Sequence, residues 1–259
     1  MEKTLNFKKK KIYYTDDGTG ETLVLLHGFL ESQEIWTEFI PEFSEYGRII
    51  TIDLPGHGRS ECLAEVHSME LMAETVHAVL QKLQVKKANF IGHSMGGYVT
   101  LSFLEQYPKM VGELMLLNST PEEDSEEKKQ NRDRAIEVVQ KNKRAFISMA
   151  ISNLLPPENE QKFVKEINVL KERAYNFPTE GITAALKGMK IRTKKVGVLK
   201  DFAGIKTIVA GKKDPLIELN SIKTLASQCN CTFFSLPGGH LSYLESSKNF
   251  KKLCISSKN

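Results

Sequence analysis

A serine set between glycines, Gly92-His93-Ser94-Met95-Gly96, ends the apolar run at residues 88–91 and opens a helix-like stretch at 97–104. A strand-to-helix turn this tight leaves no room for large neighbours, so Gly92 and Gly96 let the backbone close and push Ser94 outward as a nucleophile. The free N–H groups at the start of the following helix face the same place and favour developing negative charge. A serine hydroxyl needs a base in contact with it. An imidazole serves, and a carboxylate must hold its tautomer. On a sheet with this turn the order is serine, acid, histidine, the acid after a late strand and the base after the last one. Residues 207–210 run into Gly211-Lys212-Lys213-Asp214-Pro215, and residues 232–236 run into Pro237-Gly238-Gly239-His240. Asp214 is therefore the expected acid and His240 the expected base. Asn118-Ser119-Thr120, after another strand-like run, supplies no carboxylate.

A tetrahedral intermediate also needs two N–H donors. One is expected from the backbone of Met95, directly after the nucleophile, and the other from the loop after the first long buried strand. His27-Gly28-Phe29-Leu30 lies there, which assigns the backbone N–H of Phe29. Of the other five histidines, His93 is expected to face away from the reaction path and His27 to brace its loop. His57 sits in the Gly-rich turn Asp53-Leu54-Pro55-Gly56-His57-Gly58-Arg59-Ser60, and His67 and His77 read as surface or half-buried residues.

The elements that must position these residues alternate. Strand-like segments fall at 11–15, 22–26, 48–52, 88–91, 113–117, 207–210 and 232–236, with a hairpin-type turn at Asp16-Asp17-Gly18-Thr19-Gly20. Ser68 caps a helix carrying Met72, Val76, Leu80 and Leu83, and Trp36, Phe39, Ile40 and Phe43 suggest a short helix packed by Trp36. Such alternation implies an α/β fold, a mostly parallel sheet covered by helices on both faces. It stops near Pro121. Residues 121–204 show only helical stripes, Ala135, Val138, Val139, Phe146 and Ile147 in one and Phe163, Ile167 and Leu170 in another. An all-helical insert between strands reads as a lid over the strand ends, where open α/β sheets bind ligands. The core is then residues 1–120 and 205–259, with the lid at 121–204.

The 259 residues suffice for one such domain with an insertion. A net charge of +4 gives no reason to expect nucleic acid or an anionic membrane, and Lys8-Lys9-Lys10-Lys11 reads as a solvated strand edge. No apolar run has signal-peptide or membrane-spanning length, so a cytoplasmic protein is expected. Cys62, Cys229, Cys231 and Cys254 fit neither a disulfide framework nor zinc spacing, and read as reduced thiols. The chemistry calls for neither metal nor cofactor, and the spacing leaves oligomeric state open.

Together His27-Gly28, the Asp53–Ser60 motif, Gly92-His93-Ser94-Met95-Gly96-Gly97, Asp214 and Gly239-His240 resemble the α/β-hydrolase superfamily over essentially the whole chain. The motifs look like those of small-acyl carboxylesterases and of the related group holding carbon–carbon bond hydrolases and pimeloyl-carrier methyl esterases. The resemblance implies a helical lid after the sixth strand. The superfamily's haloalkane dehalogenases and epoxide hydrolases carry an aspartate where Ser94 stands. Its menaquinone-pathway lyase has a similar opening loop but an arginine after the elbow glycines, where this chain has Tyr98. The leading expectation is a serine hydrolase cleaving a small-molecule carboxylic ester, with Phe146, Ile147, Met149, Leu154 and Leu155 suggesting an apolar acyl part. The alternatives are a carbon–carbon hydrolase or lyase using the same residues, and a non-catalytic ligand receptor.

Overall fold

Strands β3 (Thr22–Leu26) and β5 (Ala88–His93) are buried along their whole length. Since neighbouring side chains on a strand point to opposite faces, the sheet around them must be covered on both sides. They lie at the centre of eight strands in a computed structural model that describes residues 2–256. Residue 1 and residues 257–259, the outer ends of the two expected core segments, lie outside the described residues. The other strands are β1 (Glu2–Phe7), β2 (Lys10–Asp17), β4 (Arg48–Ile52), β6 (Val111–Leu117), β7 (Lys206–Gly211) and β8 (Thr232–Leu236). Their order is β1-β2-β4-β3-β5-β6-β7-β8. β1 and β2 run antiparallel to their neighbours, and every pairing from β4 to β8 is parallel.

The helices are α1 (Ile40–Phe43), α2 (Met69–Lys82), α3 (Met95–Gln106), α4 (Glu126–Ser152), α5 (Pro157–Glu160), α6 (Val164–Tyr175), α7 (Thr179–Ile191), α8 (Val196–Asp201), α9 (Leu219–Gln228), α10 (Ser242–Glu245) and α11 (Ser247–Ser256). Ser68 caps α2 as expected, its Oγ accepting the Leu71 N–H at 3.1 Å, and Met72, Val76 and Leu80 are buried. Trp36 ends a 3-10 turn (Gln33–Trp36), fully buried against Phe39, Tyr243 and Phe250. The parallel register aligns Leu26 with Gly92, His93 with Leu117, and Leu117 with Val209. The loops after β3, β5, β6 and β7 therefore leave the same edge of the sheet.

Two local readings differ from the structure. The tight hairpin joins β1 to β2 through Lys8 and Lys9, both in the left-handed region (φ 49° and 66°), while β2 continues through Asp17 and pairs with β4. β1 escaped notice because an edge strand needs apolar residues on one face only, and Leu5 and Phe7 supply them. In α4 the helical phase breaks at Asn142 (φ −154°, ψ 78°), whose Oδ1 accepts the Ala145 N–H at 3.0 Å and caps the second half. Val139, Phe146 and Ile147 are buried, but Val138 and Met149 face solvent.

Between β6 and β7 the described chain holds α4 to α8 and no strand. This insert rests on the loops at the sheet edge. The Ala184 carbonyl accepts the His67 N–H at 3.0 Å, and the Leu154 carbonyl accepts the His240 N–H at 3.0 Å. Gly56 and Gly181 meet so closely that a Cβ on either would collide with the other's backbone. Among the described residues no helix is long and apolar enough to cross a membrane.

Candidate active site

Ser94 stands between β5 and α3 with φ 50° and ψ −113°, a left-handed backbone that a non-glycine residue adopts only where its surroundings impose it. The imposition is visible. The Ser94 N–H donates to the Leu117 carbonyl at 2.9 Å, and the Ser94 carbonyl accepts from the Gly97 N–H at 3.0 Å and from Ser119 Oγ at 2.7 Å. A Cβ on Gly92 would strike the Gly96 carbonyl, and one on Gly96 would strike the Leu26 carbonyl. The two glycines are thus required by contact, α3 crossing over β5 and β3 at backbone distance.

Asp214 and His240, from the loops after β7 and β8, meet Ser94 in one chain of hydrogen bonds. Ser94 Oγ lies 2.8 Å from His240 Nε2, and His240 Nδ1 lies 2.8 Å from Asp214 Oδ2. Asp214 also accepts from Asn118 Nδ2 on Oδ2 at 2.8 Å, and from the Leu216 and Ile217 N–H groups on Oδ1 at 2.8 and 3.1 Å. Burial opposes its charge, yet the facing His240, the Asn118 amide and the Leu216 N–H outweigh burial and hold the carboxyl below its ordinary range. A carboxylate so placed fixes the histidine with its hydrogen on Nδ1, leaving Nε2 free to accept from Ser94.

The loop carrying Phe29 lies against the elbow. A Cβ on Gly28 would be 3.2 Å from Ser94 Cβ and 2.9 Å from His93 Nδ1. Met95 is the first residue of α3, where a helix N–H has no partner within the helix. His27 braces the loop as expected, Nδ1 donating to the Gly28 carbonyl at 2.7 Å and Nε2 accepting the Leu54 N–H at 2.9 Å. Burial drives its pKa down to about 4 and that of His57 to about 3, so both rings are neutral. His57 is wholly buried and edges onto Phe29 and Phe177, while Phe29 meets Phe146 of the insert at 6.4 Å between ring centres. His67 is buried too, contrary to the surface reading, its Nε2 accepting the Leu63 N–H at 3.0 Å.

Several residues of the site went unread. Asn118 directly follows β6, where the chain supplies no carboxylate. Its amide donates to Asp214 and, at 3.2 Å, to the Gly239 carbonyl, while its Oδ1 accepts from Ser242 Oγ. Glu31, buried in the loop after β3, accepts the Gly28 N–H on Oε2 at 2.7 Å and the Tyr243 hydroxyl on Oε1 at 2.9 Å. His93 does turn away from the Ser94 hydroxyl, but it turns into this carboxylate. Its Nδ1 is 2.8 Å from Glu31 Oε2 and its Nε2 is 2.9 Å from the His240 carbonyl. The one sequence signal was a charged residue in the otherwise uncharged run Leu23–Gln33.

The arginine absent at position 98 has a counterpart from the insert. The Arg192 guanidinium lies 4.0 Å over the Tyr98 ring, and it is paired with buried Asp124 at 2.8 Å. Asp124 also binds Arg132, so the charge of Arg192 is already matched within the chain.

This geometry agrees with three comparisons. Residues 21–247 match the family model described as alpha/beta hydrolase fold. Among the curated relatives, a 2-hydroxy-6-oxononadienedioate/2-hydroxy-6-oxononatrienedioate hydrolase of Paraburkholderia phymatum is 37% identical over 113 residues, 41% of this chain and 39% of that protein. An (E)-2-((N-methylformamido)methylene)succinate hydrolase of Acinetobacter baylyi is 32% identical over 46% of this chain and 45% of its own length. The chain thus spans about two fifths of the length of the curated relatives it matches. Among solved structures, a thermophilic esterase from Thermogutta terrifontis superposes with a TM-score of 0.92 at 25% identity, covering 99% of this chain and 97% of that one. With the family model spanning strands β3 to β8, the elbow and the insert alike, the chain belongs to the alpha/beta hydrolase fold family.

Proposed function

We propose that the protein is a serine hydrolase that cleaves carboxylic esters through an acyl-enzyme. The observation that carries this reading is the unbroken chain from Ser94 Oγ through His240 to Asp214, with Ser94 strained at the head of α3. Ser94 Oγ attacks the ester carbonyl carbon and its proton passes to His240 Nε2. The carbonyl oxygen becomes an oxyanion, held by the backbone N–H groups of Phe29 and Met95. Asp214 stabilises the imidazolium. The tetrahedral species collapses, the carbon–oxygen bond to the alcohol breaks, and the alcohol leaves with the proton from His240. Water then gives a proton to His240 and attacks the acyl carbon. Release of the acid returns the proton to Ser94 Oγ.

The insert at 121–204 acts in this reading as a lid, with Phe146 and Phe177 beside Phe29 and His57 forming an apolar wall suited to an apolar acyl group. The esterase from Thermogutta terrifontis supports the ester reading. A second reading, hydrolysis of a carbon–carbon bond next to a carbonyl, is favoured by the Paraburkholderia phymatum relative.

Turnover of a p-nitrophenyl ester chain-length series, beside a vinylogous 1,5-diketone, separates the two. We expect ester turnover that disappears in Ser94→Ala. Equal activity of wild type and Ser94→Ala on every ester defeats the ester reading, and diketone cleavage alone favours the second.

A further inference from the structure

Glu31 and His93 take no part in the proton transfers above, yet they sit directly behind them. The His240 carbonyl can only accept a hydrogen bond, so His93 Nε2 must carry a hydrogen. Two donors reach Glu31, the Gly28 N–H on Oε2 and the Tyr243 hydroxyl on Oε1, so both oxygens accept, which is the arrangement an ionised carboxylate satisfies. His93 Nδ1 then carries a hydrogen as well. Burial opposes both charges. Their mutual attraction and hydrogen bond nonetheless hold Glu31 below the ordinary carboxylate range and His93 above the ordinary imidazole range. Other ionisable neighbours are His240, its ring centre 5.3 Å from that of His93, His27 beside Glu31, Asp214 beyond His93, and Arg173 and Glu245 near Tyr243.

On these contacts we propose that Glu31 and His93 form a buried imidazolium–carboxylate pair that positions the oxyanion loop and the His240 loop against the nucleophile elbow. The inference rests on the serine-hydrolase reading. Each end of the pair falls next to a reacting group. Gly28 precedes the proposed donor Phe29, His93 precedes Ser94, and the accepting carbonyl is that of His240 itself. Tyr243, on α10, carries the constraint into the helix that follows the base. His240 is thereby held at both main-chain groups, its carbonyl by His93 and its N–H by Leu154 of the insert. Only the side-chain torsions of His240 remain, and Asp214 and Ser94 set those. A pair kept for stability alone has no need of such partners, since buried ion pairs are weak contributors compared with apolar packing of the same volume.

The test uses near-isosteric variants and the second-order rate at which a fluorophosphonate probe labels Ser94, with the melting temperature measured alongside. That rate needs nucleophile, base and oxyanion donors but no particular ester. In Glu31→Gln the amide oxygen, placed at the Oε2 position, still accepts from the Gly28 N–H and from His93 Nδ1, and its NH2 can donate to the Tyr243 hydroxyl oxygen. Glu31→Ala keeps none of these contacts. His93→Gln reaches the His240 carbonyl, whereas His93→Asn reaches only Glu31. Because displacements near 1 Å cost large factors in rate, we expect Glu31→Ala and His93→Asn to label about thirtyfold more slowly, and Glu31→Gln and His93→Gln about threefold.

Wild-type labelling in all four variants with only a lowered melting temperature overturns the proposal. So does an equal loss in Glu31→Ala and Glu31→Gln, or a His93→Gln slower than His93→Asn. If Glu31→Ala does not fold, the order of the two His93 variants decides. A wild type labelled at Ser94 that hydrolyses no ester defeats the ester reading and leaves this test intact, whereas a wild type that the probe does not label defeats both.

Discussion

Replacing Asp214 by asparagine changes one atom and no volume, and the structure dictates which way the new amide must lie. Two backbone N–H groups, from Leu216 and Ile217, donate to Oδ1, so the amide oxygen must stay there. The NH2 then takes the place of Oδ2, facing His240 Nδ1 and Asn118 Nδ2. Asn118 cannot turn to accept, because its amide also donates to the Gly239 carbonyl and its Oδ1 is taken by Ser242. His240 must therefore accept at Nδ1 and carry its hydrogen on Nε2, the atom that has to take the proton from Ser94. A base in the wrong tautomer costs about 10⁴-fold in kcat, or about 5 kcal/mol of transition-state stabilisation. Donor facing donor at Asn118 adds an unsatisfied buried group worth about 1–3 kcal/mol of stability. The assay is single-turnover hydrolysis of a p-nitrophenyl ester, scaled to Ser94 sites titrated with a fluorophosphonate, and urea unfolding gives the stability change. Asp214→Asn within tenfold of wild type would refute the orienting role and, with it, the tautomer argument.

Two further outcomes follow from packing and charge. Gly96→Ala places a methyl against the Leu26 and His27 carbonyls, so unfolding in urea is expected to shift by about 3 kcal/mol, and an unchanged midpoint contradicts the close approach. Acid should destabilise the protein well above the carboxylate range. His27 and His57 have folded-state pKa values of about 4 and about 3, below the ordinary 6.5, so the unfolded chain binds more protons across that interval. Their contribution is fully present above about pH 6.5 and is lost as pH falls, at about 1.4 kcal/mol per pH unit for each. His93 has the opposite sign, since its raised pKa gives a contribution that is fully present below the ordinary value and lost only as pH rises through the folded one. A urea midpoint that stays flat from about pH 7 to about pH 5 rejects the neutral buried histidines.

What the sequence disclosed followed physical necessity. Ser94, Asp214 and His240 were legible because each follows a strand-like run and the turns around them carry glycine, and contacts of 2.8 Å join all three. Ser68 was legible because a cap precedes a clean apolar stripe, and its hydroxyl holds Leu71. The Glu31–His93 pair was hidden because its members are 62 residues apart and neither lies in a pattern that announces a partner. Asn118 was hidden for a related reason, since an amide at a strand end has no distinctive spacing and its value appears only when the loops after β7 and β8 close upon it. Val138 was placed on an apolar face by a helical period that Asn142 interrupts, and Met149, read as part of an apolar acyl site, faces solvent instead. The insert is likewise less uniform than one block. Leu154 and Glu158 are bonded to the loops bearing His240 and Asp214, through the His240 N–H and Lys213, and Asn159 to Glu245 of α10. That stretch is therefore anchored to the site.

The central claim is that Ser94 forms a covalent acyl-enzyme. The direct measurement is rapid acid quenching of wild type mixed with excess p-nitrophenyl acetate, followed by peptide mass analysis. The account predicts one acetyl group on the peptide holding Ser94, reached together with a burst of nitrophenol, and no such adduct in Ser94→Ala. Steady ester turnover with no acylated Ser94 at any quench time, or an acyl group carried by another residue, contradicts it.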